Sequence, residues 1–388
     1  MRHFSRFGRR RGLALATTLF AIVVIGTIIS AALFASTQEQ RSATSQLYVE
    51  RALAAAEYGQ NAVLIDWDRE RTWRMPNGDT LLRTYSVAGG AVATAVVTKL
   101  NRTTFLVASE GSAGPTDQSR ARRRTSMVLT LDIPQLRVPA AFTARGADTV
   151  AGSSITNGTD VNPAGWDCPA AGPTAAGIAT GDSVMTYQGT KFAVNGNPPV
   201  DRDAAANDTS TYFNLGGTTY SDMAALAAEP GQGIVFTPLL GTTLALSGIN
   251  PVVVGSTCVL GSTNWGDPLR AAPPSPCESY MPIIHIKGNA SITGGGGGRG
   301  QGILLVDGNL AISGNFEFHG LVIVRGRVSF SGTGTKVFGA VLAANTGGSA
   351  NLISGNVQLQ FSRCALTTLL ARRAYPKPSK ERAWADMF

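Results

Sequence analysis

From Leu13 to Thr37 the chain carries no charge, and Glu39 is the first acid of the sequence. About 20 helical residues cross a bilayer core, so the run is long enough to span one. It is also longer than the apolar stretch of a cleaved secretion signal, and Ser30-Ala31-Ala32 fits a small-x-small cleavage site only weakly. Residues 38–66 then turn amphipathic. Helix formers dominate, and Leu53, Ala56, Gln60 and Val63 recur at three- and four-residue spacing. No proline occurs before Pro76, and Gly26 lies inside the apolar run. The pattern predicts one helix over 13–65, roughly 80 Å long at 1.5 Å per residue. Its first half is apolar all round, and its second half has one face that must pack on something.

Short β segments follow. An Asn77-Gly78 turn precedes a loosely alternating stretch at 80–87. Residues 91–100 and 103–109 flank an Asn101-Arg102 turn, and 125–133 ends at Pro134. Runs of Val, Thr and Phe bounded by turn residues read as antiparallel strands, and a helix on such a meander is an α+β layer. Past Pro139 the composition shifts to Gly, Asn, Thr, Asp and Ala. Residues 141–282 show little order beyond a small helix at 220–229, started by Ser221 or Asp222.

Residues 302–332 are strictly periodic, with glycine at 302, 308, 314, 320, 326 and 332. The second and fourth residues after each glycine are Leu304/Val306, Leu310/Ile312, Phe316/Phe318, Val322/Val324 and Val328/Phe330. Strand alternation puts these ten on one face. The positions between are mixed, with Asn309, Asn315, Glu317 and Arg327 beside Leu321 and Ile323. Repeated short strands with glycine corners predict a β-solenoid, the competing form being a hairpin meander. The segments 283–292 and 337–342 read as flanking coils. The fold class expected is thus α+β: a long N-terminal membrane-spanning helix on a small antiparallel sheet, then a Gly-rich β domain forming a β-solenoid. Its divisions are a basic leader at 1–12, the helix at 13–65, the sheet at 66–135 and the Gly-rich domain at 136–388, with a repeat core at 283–362.

Charge adds topology. Arg2, Arg6, Arg9, Arg10 and Arg11 supply +5 of the net +8, leaving +3 elsewhere. Basic residues stay cytoplasmic, so the chain beyond about Gln38 is expected outside the inner face. The cluster Arg120, Arg122, Arg123 and Arg124 reads as a solvated loop, without the interleaved aromatics of a nucleic-acid site. No nucleic-acid partner is expected.

Chemistry is sparse. His285 and His319 fall in β segments with no triad partner in sequence. Asp307 and Glu317 are the candidates for paired-carboxylate work on sugars. The glycine run at 294–300 lacks the Gly-Lys-Ser/Thr ending of a phosphate loop, and reads as a flexible insertion. The Asn/Asp loops at 157–167 and 195–208 have no EF-hand spacing, though calcium ligation there stays open. No enzyme activity, metal or cofactor is expected. Cys168, Cys258, Cys277 and Cys364 allow three connectivities. Cys258–Cys277, closing a Pro-rich loop, with Cys168–Cys364 is the pairing expected in an oxidising compartment. Four free thiols are the alternative.

Arg11-Gly12 before Leu13-Ala14-Leu15, a uniform apolar helix, and Ala55-Ala56-Glu57-Tyr58-Gly59 in its continuation together resemble the PilX-type minor pilins of type IV pili. The resemblance covers residues 1–65 and, more loosely, the chain to 133. It implies cleavage by prepilin peptidase after Gly12, leaving Leu13 as the mature first residue. It also implies partnership with other pilin subunits and the pilus assembly machinery. Pilins usually carry Glu at the fifth mature position, where this chain has Thr17. The expected protein is a minor pilin-like subunit of a type IV pilus or related pseudopilus that primes the filament or makes surface contact. It would sit in the inner membrane as a single pass, N-terminus cytoplasmic, its bulk periplasmic or extracellular in a filament. The alternative is a membrane-tethered β-solenoid that binds or cleaves surface polysaccharide.

Overall fold

The computed structural model describes residues 13–116, 120–132, 138–181, 185–215, 217–270, 273–371, 374–379 and 384–387. The leader, with its arginines and Gly12, lies outside the described residues. The chain forms two compact units, Met1–Leu131 with Pro376–Phe388, and Asp132–Tyr375.

The first unit is a helix on a sheet. Helix α1 runs unbroken over Leu13–Ile65, and the short α2 (Arg69–Arg74) follows, its N-terminus capped by Asp68. Strands β1 (Thr80–Val87), β2 (Ala91–Lys99), β3 (Thr104–Ala113) and β4 (Ala121–Asp132) form an antiparallel meander. Strand β2 alternates buried and half-buried positions along its whole length, as a half-covered sheet requires. Small residues set the fit. Ala52, Ala55 and Ala56 of α1 are fully buried, and a Cβ on Gly111 of β3 would overlap the Ala52 carbonyl oxygen. Helix and sheet backbones therefore approach at a distance only glycine permits. Toward the end of α1, Val63 joins Leu81, Val97, Phe105, Val107, Met127 and Leu129 in a larger core. Lys99 is buried and donates from Nζ to the carbonyls of Thr72 (3.2 Å) and Trp73 (2.7 Å). That pins the end of α2.

Two expectations change here. Arg122, Arg123 and Arg124 are not in a loop but in β4, where Arg124 Nε meets Glu110 Oε2 of β3 at 2.7 Å. The Gly-rich domain does not extend to 388. The tail strand Trp384–Met387 pairs antiparallel with β4, so the last residues complete the first sheet.

The second unit is built from parallel strands in three stacks. Stack A runs through Gly233–Phe236, Ile283–Ile286, 303–306, 321–324, 340–343, Ala140–Ala144, Ala176–Thr180 and Val200–Arg202. Stack B runs through Thr243–Ser247, 289–293, 310–313, Val328–Phe330, Asn351–Ile353, Asp148–Ala151 and Met185–Gln188. Stack C joins 298–302, 316–320, 336–339, Gln358–Phe361, Ile155–Asn157 and Ala193–Asn195. The six-residue glycine period is one side of each pass, not a whole repeat. Gly302 pairs with Gly320, eighteen residues on, and Gly320 with Gly339. All ten apolar residues of the period lie in one buried cluster.

The order of passes in space is not their order in sequence. The passes that begin at Gly233 proceed along the stacks to Phe361, and Ala140–Ala144 pairs against the last of them. Ala176–Thr180 and Val200–Arg202 then continue outward. The linking segment returns to the far end and carries a second apolar layer. Tyr212, Leu215 and helix α3 (Tyr220–Ala227), with helix α4 (Arg363–Ala371), cover Ile283, Ile303, Leu305, Leu321, Ile323 and Leu342 on the outside of stack A. This accounts for the apolar character of Leu321 and Ile323 at outward positions. Helix α3 is capped by Thr219, in a box with Asp222, two or three residues before the Ser221 or Asp222 start read from the sequence.

The glycine run at 294–300 is an ordered part of the strand Asn289–Val306, with a bulge between Gly294 and Gly298. Trp265, fully buried, packs edge-on against Phe316 and Phe318. Its Cβ lies 2.8 Å from where a Cβ on Gly300 would stand. The indole thus fills the space that side chains occupy in the next pass. The main chain closes the same edge, since Arg299 donates to the Ile249 carbonyl and Gln301 to that of Trp265. Two disulfides lock this unit. Cys258–Cys277 ties a two-stranded hairpin to the turn Pro276–Ser279, and Cys168–Cys364 ties a long loop to the first turn of α4.

Candidate functional site

The feature that demands a partner is the first half of α1. Eleven large apolar side chains from Leu15 to Phe34 are exposed, and none of the most apolar window is buried. Covering a side chain of this size is worth about 1.5–3 kcal/mol, so leaving the stretch in water would cost on the order of 15–30 kcal/mol. The helix is long and apolar enough to cross a membrane. Its polar atoms suit an apolar surrounding too. Thr18, Thr27 and Thr37 each donate a hydroxyl to the carbonyl three residues back, at 3.0, 2.8 and 2.8 Å, as hydroxyls without water must. Leu13 is the first described residue of this helix.

The candidates for chemistry are engaged in holding the fold. His285 Nε2 lies 3.1 Å from Asp307 Oδ2, and Tyr220 donates to Asp307 Oδ1 at 2.8 Å. Arg325 approaches the same carboxylate at 3.7 Å and lies over the rings of Phe213 and Tyr220. The cluster fastens α3 to stack A. Burial, with the Asp307 carboxylate beside it, raises the Tyr220 phenol well above its usual range. Glu317 Oε1 lies 2.7 Å from His319 Nε2, and that hydrogen bond holds the Glu317 carboxyl below its usual range. Asp307 and Glu317 therefore serve separate pairs.

The Asn/Asp loops are also occupied. Asp160 accepts from the backbone of Gly172 (2.6 Å) and of Arg363 (2.8 Å), while Asp203 and Asp208 accept from backbone N–H groups of the turns that follow them. Among the described residues no three His, Cys, Asp or Glu side chains gather as a metal site would need.

Nothing in the sequence marked Trp265, Gly111 or Lys99 as structural keys. Their roles depend on partners far along the chain. No family model and no curated protein matches this chain. Among solved structures, the competence-associated pilin ComZ from Thermus thermophilus aligns with a TM-score of 0.26 and 12% identity, covering 87% of this chain and 97% of that one. At that score the likeness is too loose to bear on fold or function.

Proposed function

We propose that this chain is a minor pilin-like structural subunit of a type IV pilus or a related pseudopilus. In this reading α1 holds it in the inner membrane before assembly, with the leader cytoplasmic and the bulk outside. Prepilin peptidase removes the leader after Gly12, and other pilin subunits then replace lipid around the apolar half of α1. The three parallel stacks are the sides of a β-solenoid head that the filament carries, for priming or surface contact. The observation that supports the reading is the continuity of α1. One helix passes from an uncovered apolar half into a half clamped on the sheet through Ala52, Ala55 and Ala56. A tether needs no such rigid link, whereas a subunit whose helix packs in a filament core needs that helix fixed to a folded sheet, as α1 is within the first unit.

Thr17 supports a low-copy role, because a hydroxyl cannot form the charge pair that an acid at this position makes with a neighbour's terminal amine. The absence of a catalytic role is also part of the proposal, and it rests on the engagement of Asp307 and Glu317 described above. Filaments sheared from cells test the reading. The chain is expected there at low copy, and finding it as the bulk protein contradicts the minor role. A reporter fused after Ile65 is expected to work outside the cytoplasm. Activity only in the cytoplasm overturns the topology. A chain retained in the membrane and missing from every filament fraction favours the tethered polysaccharide-binding alternative.

A further inference from the structure

Residues 230–266 contain no Asp, Glu, Lys, Arg or His, and they build the pass at one end of the three stacks. In that pass Gly233–Phe236 ends stack A and Thr243–Ser247 ends stack B, each paired on one side only among the described residues. The carbonyls of Gln232 and Phe236 accept from the N–H groups of Ile283 and Lys287. Alternation along the strand then turns the backbone groups of Gly233 and Val235 toward the open edge. The core is open here too. Ile234, Phe236, Leu244 and Leu246 pack against the main apolar cluster yet are only partly buried, because no described pass lies beyond them. At the corner between the two strands, Leu239 is 81% and Leu240 104% exposed. Natural sheets blunt an open edge with charge, proline or a covering segment, and the end repeats of stacked folds carry polar outer faces. This end pass has no charge with which to do so.

The opposite end is blunted. Its strands Met185–Gln188, Ala193–Asn195 and Val200–Arg202 stand among Lys191, Asp201, Arg202 and Asp203, with Pro198 and Pro199 beside them. A head-to-tail contact would bury those charges against an uncharged surface, which is costly. A contact of the bare end with itself buries no charge. A two-fold axis across the stacks reverses strand direction, so each open strand then meets an antiparallel partner. The side at 298–302 offers no continuous strand in this pass, since Ile249 and Trp265 close it on either side of an inserted hairpin. The corner at Leu239 and Leu240 is therefore the centre of what can pair. We infer that the second unit binds a second copy of itself through this end. Gly233–Phe236 of one copy lies antiparallel on Thr243–Ser247 of the other, and the two leucine corners meet at the axis. The contact requires nothing of the role given to α1.

The test is sedimentation velocity of the full chain in detergent over a range of concentrations. The wild type is expected to pass from monomer to dimer and no further. Leu239→Asp/Leu240→Asp and Ala245→Lys each place a charge at an exposed position of the contact. Each is expected to raise the dimer dissociation constant at least about tenfold, since a charge buried without a partner costs more than that step. Thr186→Lys, at an exposed position of the opposite end, is expected to leave the dimer intact. Leu240→Cys is expected to form a disulfide between copies on mild oxidation. Urea unfolding checks that each variant is folded, and the leucine corner serves alone if Ala245→Lys is not. A wild type that stays monomeric at every concentration overturns the proposal. So does a dimer that survives both end changes, which would place the contact elsewhere, as in α1. Dissociation by Thr186→Lys, or growth beyond the dimer, would make the contact head-to-tail and also overturns it.

Discussion

Gly320→Ala is the most informative single change in the second unit. Gly320 has φ of +147° and pairs with Gly302 on one side and Gly339 on the other. A Cβ there would overlap the Gly302 carbonyl oxygen and stand 2.8 Å from Cδ1 of Leu369 in α4. Gly248 supplies the contrast. Its φ is +67°, and a Cβ would meet nothing within 4 Å. Backbone strain of about 1–2 kcal/mol applies to both changes. Gly320→Ala must in addition push adjacent passes apart by about 1 Å where strands are ordinarily ~4.8 Å apart. The ladder bonds on either side then stretch, each leaving buried polar groups worth about 1–3 kcal/mol. Gly320→Ala should cost on the order of 4–6 kcal/mol, much of a typical domain's stability, and Gly248→Ala about 1–2 kcal/mol. Urea unfolding of the full chain in detergent, followed by tryptophan fluorescence, reads the difference as midpoint shifts. If both variants unfold at the same urea concentration, the close stacking of passes at the glycine ladder is wrong.

Three further outcomes follow from named contacts. Trp265→Ala empties the space over Gly300 and should cost about 3–5 kcal/mol, measured by the same unfolding experiment. Gly111→Val places a side chain against the Ala52 carbonyl. It should speed hydrogen exchange in α1 around residues 52–63 while leaving the stacked unit unchanged. Because His319 lowers the Glu317 carboxyl in the folded state, this pair stabilises the fold above the ordinary carboxylate range. The contribution is lost as pH falls through the lowered value. His319→Gln should therefore flatten the acid limb of a stability-against-pH curve and leave less stability at neutral pH, and an unchanged curve refutes the assignment.

Local pattern carried much of the fold. The absence of proline between Leu13 and Ile65 marks one helix, and alternation places the ten apolar residues of the glycine period in one core. What local pattern lacks is pairing over distance. Three connectivities among the cysteines are equal on spacing alone, and the observed bridges depend on residues 168 and 364 being brought together. The glycine period gives the length of a side, while the number of sides is visible only when Gly302 is seen against Gly320. Passes at 140–202 stacking beyond Phe361 leave no local trace, since the strands there are short and those at 140–157 pair with neighbours some 200 residues away in sequence. Asn309 looks like a neutral surface residue, yet its side-chain oxygen accepts from the Arg327 backbone at 2.9 Å and its own N–H reaches Asn289. The arginines of β4 read as a loop because charge masks a strand whose exposed positions Arg122 and Arg124 occupy. For the candidate site, the exposed apolar half of α1 was plain from composition.

The central claim is that α1 is a filament spine and not a tether. Intact-mass and peptide mass spectrometry of the protein recovered from cells tests it most directly. A chain that begins at Leu13 with a methylated amine and lacks the first twelve residues is expected. A mature protein that still begins at Met1, or one cut after Ala32, contradicts it.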